Sequence, residues 1–211
     1  MFVKYCGFTR IQDITAAASM GVSAAGFVFD PRSPRCVDAG RARTLTDAIA
    51  GSAIATVGVF VGSTPQQVIE ICECANISHI QVYDDEMHRC LHGFRPIIRA
   101  YRVRGADDVM RIAPPEKDDL ILLDAFSPLA HGGTGRPFDW GMLAGFPFLD
   151  STIVAGGISP DTLPLLLSVA RPHGIDVSSG IEDAPGIKSS MKMASLIKQV
   201  QEAHHDRTHH A

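Results

Sequence analysis

The sequence predicts a single-domain α/β protein: a (β/α)8 barrel over residues 1–203, followed by a flexible C-terminal tail over residues 204–211. Eight short apolar, β-branched runs alternate with amphipathic segments along the chain. They follow one another at roughly 20 to 25 residues, which is the spacing of βα units. Eight units in 211 residues suit a compact barrel, whereas a doubly wound open sheet would normally contain fewer strands.

The eight runs are continuous rather than strictly alternating in polarity, which is typical of parallel strands buried on both faces. The predicted strands are Val3–Cys6, Ala24–Phe29, Thr56–Val61, His79–Tyr83, Ile97–Val103, Leu120–Ala125, Thr152–Ala155 and Ile175–Ser178. The predicted helices are Ile11–Met20, Ala39–Ala50, Pro65–Ala75, Asp85–Gly93, Ala106–Ile112, Pro160–Ala170 and Ile187–Ala203. The helical pattern is weakest in the fourth and fifth predicted helices, Asp85–Gly93 and Ala106–Ile112. No linker or low-complexity block divides the chain, so one domain is expected.

Composition argues against several classes of partner. The net charge of -4 and the pI near 6.1 give no electrostatic reason to expect nucleic acid or an anionic membrane. No apolar run reaches membrane-spanning length, and the first residues lack the basic and apolar regions of a signal peptide. The five cysteines are odd in number and scattered, which favours a reducing compartment over a disulfide framework. A cytoplasmic location is therefore expected.

In a barrel of this kind the chemistry lies where strands end and βα loops begin. This rule selects the side chains of Cys6 after strand 1, Arg35 after strand 2, Tyr83 in strand 4 and Asp124 in strand 6. It also selects two pairs in the last loops: Gly156 and Gly157 after strand 7, and Ser179 and Gly180 after strand 8. No strand end carries a set of His, Asp and Glu side chains suited to a metal, so no metal site is predicted.

Each of these residues also has an ordinary structural interpretation. An isolated cysteine at a strand end is most often a small core residue, and an aspartate there often caps a neighbouring loop. An arginine in a proline-containing loop is commonly a surface residue, and glycine pairs are commonly turns. Residue types and positions alone therefore leave catalysis and packing both open.

A series of motifs along the chain resembles the phosphoribosylanthranilate isomerase family. The motifs are Val3–Arg10, Gly26–Phe29 with Ser33–Arg35, Gly58–Val61, Leu123–Ala125, Gly132–Gly135 with Phe138–Trp140, Ala155–Ile158, Asp176–Gly180 and Pro185–Lys188. Each motif alone is weakly specific. Their order and their spread from residue 3 to about residue 198 make the resemblance specific.

The resemblance implies an Amadori rearrangement of N-(5-phosphoribosyl)anthranilate, a small phosphorylated substrate of tryptophan biosynthesis. It implies that Cys6 is the general base, that Asp124 is the general acid, and that Arg35 orients the anthranilate carboxylate. No cofactor is implied, because the ring-opened iminium already acidifies C2′. A base at the barrel mouth has to be reachable, so Cys6 is expected to alkylate faster than the thiols of the predicted helices, Cys72, Cys74 and Cys90.

The phosphate of this substrate is expected at the backbone N–H groups of Gly156, Gly157, Ser179 and Gly180, because these residues follow the last two strands of the barrel. The segment Glu182–Gly186 is expected to add a helix N-terminus to that site, and Ala130–Arg136 is expected to be a mobile loop that closes over the substrate. Whether the chain works beside other tryptophan-pathway enzymes stays open.

One segment departs from the family pattern. Where the family commonly has Gln-Leu-His-Gly after strand 4, this chain has Gln81-Val-Tyr-Asp84. Tyr83 offers a ring face and a hydroxyl in place of the imidazole, but it carries no positive charge. Asp84 is expected to oppose binding of an anionic substrate unless its side chain points away.

Two other functions compete with this interpretation. The histidine-pathway aminoimidazole carboxamide ribotide isomerase shares the barrel, but its family has an aspartate where strand 1 here ends in Cys6. Its substrate also carries two phosphates, whereas the sequence marks one phosphate site. The second alternative is a barrel that binds phosphorylated ligands without turnover, and only Tyr83 and Asp84 favour it.

Overall fold

Eight parallel strands close into a barrel, in which strand order follows chain order and β1 pairs with β8. The strands are β1 Phe2–Cys6, β2 Ala24–Val28, β3 Ala55–Val59, β4 His79–Val82, β5 Ile97–Val103, β6 Leu120–Ala125, β7 Thr152–Ala155 and β8 Gly174–Val177. A computed structural model describes residues 1–116, 119–125 and 139–208. The predicted fold class, a single-domain (β/α)8 barrel, is confirmed, and each predicted strand overlaps an observed one.

Seven α-helices surround the barrel in the described part of the chain. They are α1 Ile11–Ser19, α2 Ala39–Asp47, α3 Pro65–Cys74, α4 Asp85–Leu91, α5 Ala106–Met110, α6 Leu163–Val169 and α7 Ser190–Thr208. The two helices with the weakest sequence pattern, α4 and α5, are therefore present. Between Asp139 and β7 the chain forms short 3₁₀ turns, Trp140–Leu143 and Leu149–Ser151, instead of an α-helix.

Helix starts follow local sequence signals. Thr64 and Gln67 form a capping box at the start of α3, and Pro65 occupies the first turn, where its missing N–H costs nothing. Asp38 caps α2 by accepting a hydrogen bond from the Arg41 N–H. These signals explain why helix starts were predicted more accurately than helix ends.

The strands separate two apolar layers, because successive residues of a strand point to opposite faces. The larger layer lies between the strands and the helices. The smaller one fills the barrel interior with Ala24, Val57, Ile98, Ala100, Leu122, Ile153 and Ala155. The inward-facing rows of residues continue towards the carboxyl ends of the strands, where they become polar and form the site.

The segment after β8 differs from expectation. Glu182–Gly186 was expected to supply a helix N-terminus, which is wrong: β9 (Glu182–Ala184) and β10 (Ile187–Lys188) form a two-stranded antiparallel sheet. The turn between them contains Gly186 at φ +78°, and the Gly186 N–H donates to the Glu182 carboxylate at 3.2 Å. Helix α7 therefore begins at Ser190 rather than Ile187.

The C-terminal helix runs past the expected end of the domain. Helix α7 continues to Thr208, five residues beyond the boundary predicted at residue 203. Residues 209–211 lie outside the described part, so the flexibility of the tail stays a prediction.

Candidate active site

Cys6, the last residue of β1, faces the inside of the barrel at its carboxyl end. Its partner in the neighbouring strand is Gly26, and a Cβ placed on Gly26 would lie 2.7 Å from the Cys6 sulfur. A glycine in β2 therefore provides the room that the thiol occupies. Cys6 is only 7% exposed, so this thiol is sheltered rather than freely accessible.

Lys4 is fully buried inside the barrel, one inward position below Cys6. Its Nζ lies 3.0 Å from Oδ1 of Asp176, the residue opposite it in β8. The ammonium also interacts favourably with the negative charge of an ionised Cys6 sulfur. Burial lowers the pKa of Lys4, but Asp176 and Cys6 together raise it above its ordinary value, so Lys4 stays charged.

The thiol of Cys6 responds to opposing influences. Burial raises its pKa most strongly, and the negative charge of Asp176 adds to that effect. Lys4 and Lys188 act in the other direction by stabilising the thiolate. The pKa of Cys6 remains above the ordinary thiol value, so the two lysines limit the cost of ionising a buried sulfur without removing it.

Sequence reasoning did not single out Lys4 or Asp176. The available signal was a charged residue within a continuous apolar run: Lys4 between Val3 and Tyr5, and Asp176 between Ile175 and Val177. A lysine or aspartate is almost never fully buried unless it is paired. Two such residues in different buried strands were therefore candidates for one ion pair.

Asp124 faces inward from β6. Burial raises its pKa to about 6, and the negative charge of Asp176 adds to this. Arg102 and the hydroxyl of Tyr83 oppose the shift, the latter through a hydrogen bond of 3.4 Å to Oδ2. A carboxyl group with this pKa holds a proton much longer than an ordinary aspartate as the pH approaches neutrality.

Tyr83 and Asp84, which depart from the family pattern, have separate environments. The Tyr83 hydroxyl lies between Asp124 and Gln81, whose Nε2 donates to it at 3.2 Å. The Asp84 carboxylate instead accepts a hydrogen bond from the Met87 N–H at 2.7 Å and caps α4. Asp84 is thus engaged by its own helix, which removes the expected conflict with an anionic substrate.

Arg35 meets a carboxylate inside the protein. Its Nε and Nη2 donate to Glu182 at 2.9 and 2.6 Å. Lys188 binds the same carboxylate at 2.8 Å and also donates to the carbonyl oxygen of Cys6. Burial raises the pKa of Glu182, but Arg35 and Lys188 hold it below its ordinary value, so the carboxylate is charged. This network links the β2 loop to the end of β1.

The loops after β7 and β8 come into close contact. A Cβ on Gly180 would lie 1.9 Å from the carbonyl oxygen of Ile158, so only glycine allows this approach. Gly156 and Gly157 both have positive φ angles, +89° and +71°. Within the described residues, no acceptor is found for the N–H groups of Gly156, Gly157, Ser179 and Gly180. Four N–H donors on two touching loops are therefore without an acceptor among the described residues, and backbone N–H groups of this kind can bind an anion.

The remaining expectations have different outcomes. The expected mobile loop Ala130–Arg136 lies outside the described residues. The order of alkylation stays a prediction, but exposure does not support it: Cys74 and Cys90 are exposed, whereas Cys6 and Cys72 are buried. Position in a helix or at a strand end therefore does not set exposure. Where the chain is described, no group of three or more His, Cys, Asp or Glu side chains could hold a metal ion.

Comparison with protein families gives one match that spans nearly the whole chain. Residues 3–199 match the family model for N-(5'-phosphoribosyl)anthranilate isomerase. An isomerase of that name from Rubrobacter xylanophilus is 38% identical over 191 residues, which cover 89% of this chain and 92% of the relative. The isomerase of the same name from Pseudomonas putida KT2440 is 38% identical over 207 residues, which cover 95% of this chain and 97% of the relative.

Solved structures agree with the sequence matches. The Thermotoga maritima phosphoribosyl anthranilate isomerase is similar at a TM-score of 0.84 and 28% identity, covering 96% of this chain and 99% of that one. The Thermus thermophilus structure has a TM-score of 0.81 at 30% identity, with the same coverage. A third phosphoribosyl anthranilate isomerase structure has a TM-score of 0.80 at 26% identity and holds reduced 1-(o-carboxyphenylamino)-1-deoxyribulose 5-phosphate. In the part of our structure that is described, no helix combines the length and apolarity needed to cross a membrane.

Proposed function

The chain belongs to the N-(5'-phosphoribosyl)anthranilate isomerase family and catalyses that isomerisation in tryptophan biosynthesis, and we propose that Cys6 and Asp124 are its base and its acid. The observation that carries the proposal is the raised pKa of Asp124, about 6, inside the same barrel mouth as a thiol whose ionised form Lys4 stabilises. A carboxyl whose pKa lies well above that of an ordinary aspartate and a sulfur that can lose its proton are the pair that an Amadori rearrangement requires.

The acid acts first. Asp124 gives its proton to the ring oxygen of the furanose, and the bond between C1′ and that oxygen breaks. The lone pair of the anthranilate nitrogen forms the C1′=N bond, which leaves a ring-opened iminium. Burial of Asp124 supports this role, because a proton held near neutral pH is available when the ring oxygen takes on negative charge.

The base acts on the iminium. The thiolate of Cys6 removes the proton from C2′, the electron pair of that bond forms C1′=C2′, and the nitrogen recovers its lone pair. The resulting enaminol becomes the aminoketone when its O2′ proton is lost and a proton is added at C1′. Lys4 supports this step as a positioning residue, since its fixed positive charge favours the thiolate.

The substrate is a small phosphorylated molecule, and we propose that its two anionic ends are bound by different parts of the mouth. The N–H groups of Gly156, Gly157, Ser179 and Gly180 suit the phosphate, since they find no acceptor among the described residues. Arg35 suits the carboxylate end, although Glu182 already accepts from two of its nitrogens.

We also propose a cytoplasmic location, which the five free cysteines support because unpaired thiols suit a reducing compartment. Association with other tryptophan-pathway enzymes stays a prediction.

The decisive experiment follows the loss of anthranilate fluorescence as purified enzyme consumes the substrate. Asp124→Asn keeps the shape of the side chain but cannot deliver a proton, so kcat should fall by roughly 10²–10⁴. Asp150→Asn, which removes an exposed carboxylate near the other end of the barrel, is the matched control and should retain full activity. Near-normal kcat in Asp124→Asn would assign the acid elsewhere, and absence of turnover in the wild-type enzyme would favour the non-catalytic barrel.

A further inference from the structure

A second arginine, Arg102, lies at the mouth of the barrel on β5. The residues Ile98 and Ala100 of the same strand face the interior and are buried, and Arg102 continues this inward row at the next position. Unlike them it is exposed, because the row reaches the solvent at the carboxyl end of the strand. Its register partner in β6 is Asp124, so it lies directly beside the proposed acid.

The guanidinium of Arg102 rests on an aromatic face. Its Cζ is 4.8 Å from the centroid of the Tyr83 ring, a distance at which the ring quadrupole attracts a cation. Tyr83 is itself held in place by hydrogen bonds with Gln81 and Asp124. The residue that departs from the family pattern therefore serves as a platform for Arg102.

The donors of Arg102 have no acceptor among the residues that the structure describes. Within the described residues, its guanidinium makes no hydrogen bond and no ion pair. Arg35 is different, because two of its nitrogens donate to the buried Glu182. A guanidinium that rests on an aromatic ring and finds no acceptor among the described residues, at the mouth of a site for an anionic substrate, is suited to bind a carboxylate or a phosphate.

We propose that Arg102, supported by the ring of Tyr83, binds the carboxylate of the substrate's anthranilate ring as a second guanidinium in addition to Arg35. This inference rests on the proposed function, because it takes the phosphate to lie at the loops after β7 and β8. The phosphate and the aromatic amine are attached to opposite ends of the ribose, so a substrate with its phosphate at those loops directs its aromatic end away from them. Arg102 on β5 is separated from β7 by β6, which carries Asp124 at the reacting centre.

Two analogues that differ only in the carboxylate test the proposal. The first is reduced 1-(o-carboxyphenylamino)-1-deoxyribulose 5-phosphate, and the second is the same compound with a phenyl ring that lacks the carboxylate. In titration calorimetry, Arg102→Met should weaken binding of the first roughly ten- to hundred-fold, the value of a hydrogen bond to a charged group. Binding of the second should change less than about two-fold, because it lacks the group that Arg102 contacts. Arg111→Met, an exposed arginine after α5, is the matched control and should change neither.

The platform is tested separately. Tyr83→Phe keeps the ring and should retain the preference for the carboxylated analogue, whereas Tyr83→Leu should lose part of it. If Arg102→Met weakens both analogues equally, or neither, Arg102 does not bind the carboxylate and the proposal is overturned. Turnover by the wild-type enzyme is measured alongside. If the wild-type protein shows no turnover but Arg102→Met still loses the preference for the carboxylated analogue, the proposed function is refuted and this inference is supported.

Discussion

At the level of single residues, the charge of Lys4 favours ionisation of the Cys6 thiol against the larger effect of burial. The active form of the enzyme needs a protonated Asp124 and an ionised Cys6, although the pKa of Asp124 is about 6 and that of Cys6 lies above the ordinary thiol value. The acid therefore has the lower pKa and the base the higher one, so the active form is a minor species. Its fraction does not change with pH between the two pKa values. The profile of kcat/KM against pH should therefore rise to a plateau with a lower limb near pH 6 and fall again only in the alkaline range.

Removing the charge of Lys4 should move this profile. Lys4→Met withdraws a stabilising cation from the thiolate, so the pKa of Cys6 rises and the alkaline limb shifts to higher pH. The plateau should fall at the same time, because the gap between the two pKa values widens. Lys4 is the second-largest influence on the pKa of Cys6 but the last of the influences on the pKa of Asp124. Measurement of kcat/KM from pH 5 to 10 checks both effects.

Lys4→Arg is the conservative variant for this test. It keeps the charge opposite Asp176, so the alkaline limb should stay close to its wild-type position. An unchanged limb in a folded Lys4→Met enzyme would mean that Lys4 only stabilises the barrel.

Cys6 allows a direct separation of catalysis from packing. A serine hydroxyl fits the space next to Gly26 but is a far poorer base than a thiolate, so Cys6→Ser should fold and bind the reduced product analogue. Its kcat should fall by roughly 10²–10⁴. Circular dichroism, calorimetric binding and turnover measured on one preparation give the answer. Retained turnover would assign the base to another group.

At the level of secondary structure elements, the junction of β4 and α4 explains the departure at Tyr83 and Asp84. Tyr83 faces the interior while Asp84 caps the helix, so two neighbouring residues serve the site and the fold respectively. Asp84→Ala removes the cap and should lower the free energy of unfolding by about 1 kcal/mol. Because its carboxylate is directed at α4, kcat should change little. Urea unfolding and turnover check this, and a large loss of kcat with unchanged stability would contradict it.

The contact between the loops after β7 and β8 makes a second prediction about elements. Gly180→Ala places a methyl group against the carbonyl oxygen of Ile158, so the two loops have to separate. We expect a loss of about 1–3 kcal/mol in the free energy of unfolding and a raised KM, because the proposed phosphate donors move apart. Gly40→Ala in α2 is the matched control, since only the Asp38 side chain lies near the added methyl group, at 3.5 Å. A normal KM for Gly180→Ala would place the phosphate elsewhere.

At the level of the whole molecule, closure of the barrel brings the proposed chemistry together without a metal-binding set among the described residues. Cys6, Asp124 and the Lys4–Asp176 pair come from strands β1, β6 and β8, and each proton transfer is assigned to a side chain. Activity should therefore survive exhaustive chelation with EDTA, measured as kcat before and after treatment. A strict requirement for an added divalent ion would overturn the proposed mechanism.

Local patterns predicted most of the fold. The eight barrel strands and the seven α-helices of the described residues were located from apolar runs, periodicity and capping residues, with errors of a few residues at the ends. The exception, the strand pair after β8, depends on contacts from far along the chain: Glu182 is bound by Arg35, 147 residues away, as well as by nearby Lys188. No local pattern indicates that a buried cation will reach this segment.

Some features of the site were likewise predictable from the sequence, and others depend on contacts between distant residues. Motifs identified the family and pointed to Cys6 and Asp124, because a reaction restricts residue types at the positions that touch the substrate. The ion pair of Lys4 with Asp176 joins residues 172 apart, and the hydrogen bond of Tyr83 to Asp124 joins residues 41 apart. These contacts, together with the position of Arg102 on Tyr83, exist only because closing the sheet turns one face of every strand into a shared interior. Burial and neighbouring charge set the pKa values there, and both are properties of the closed barrel rather than of any one segment.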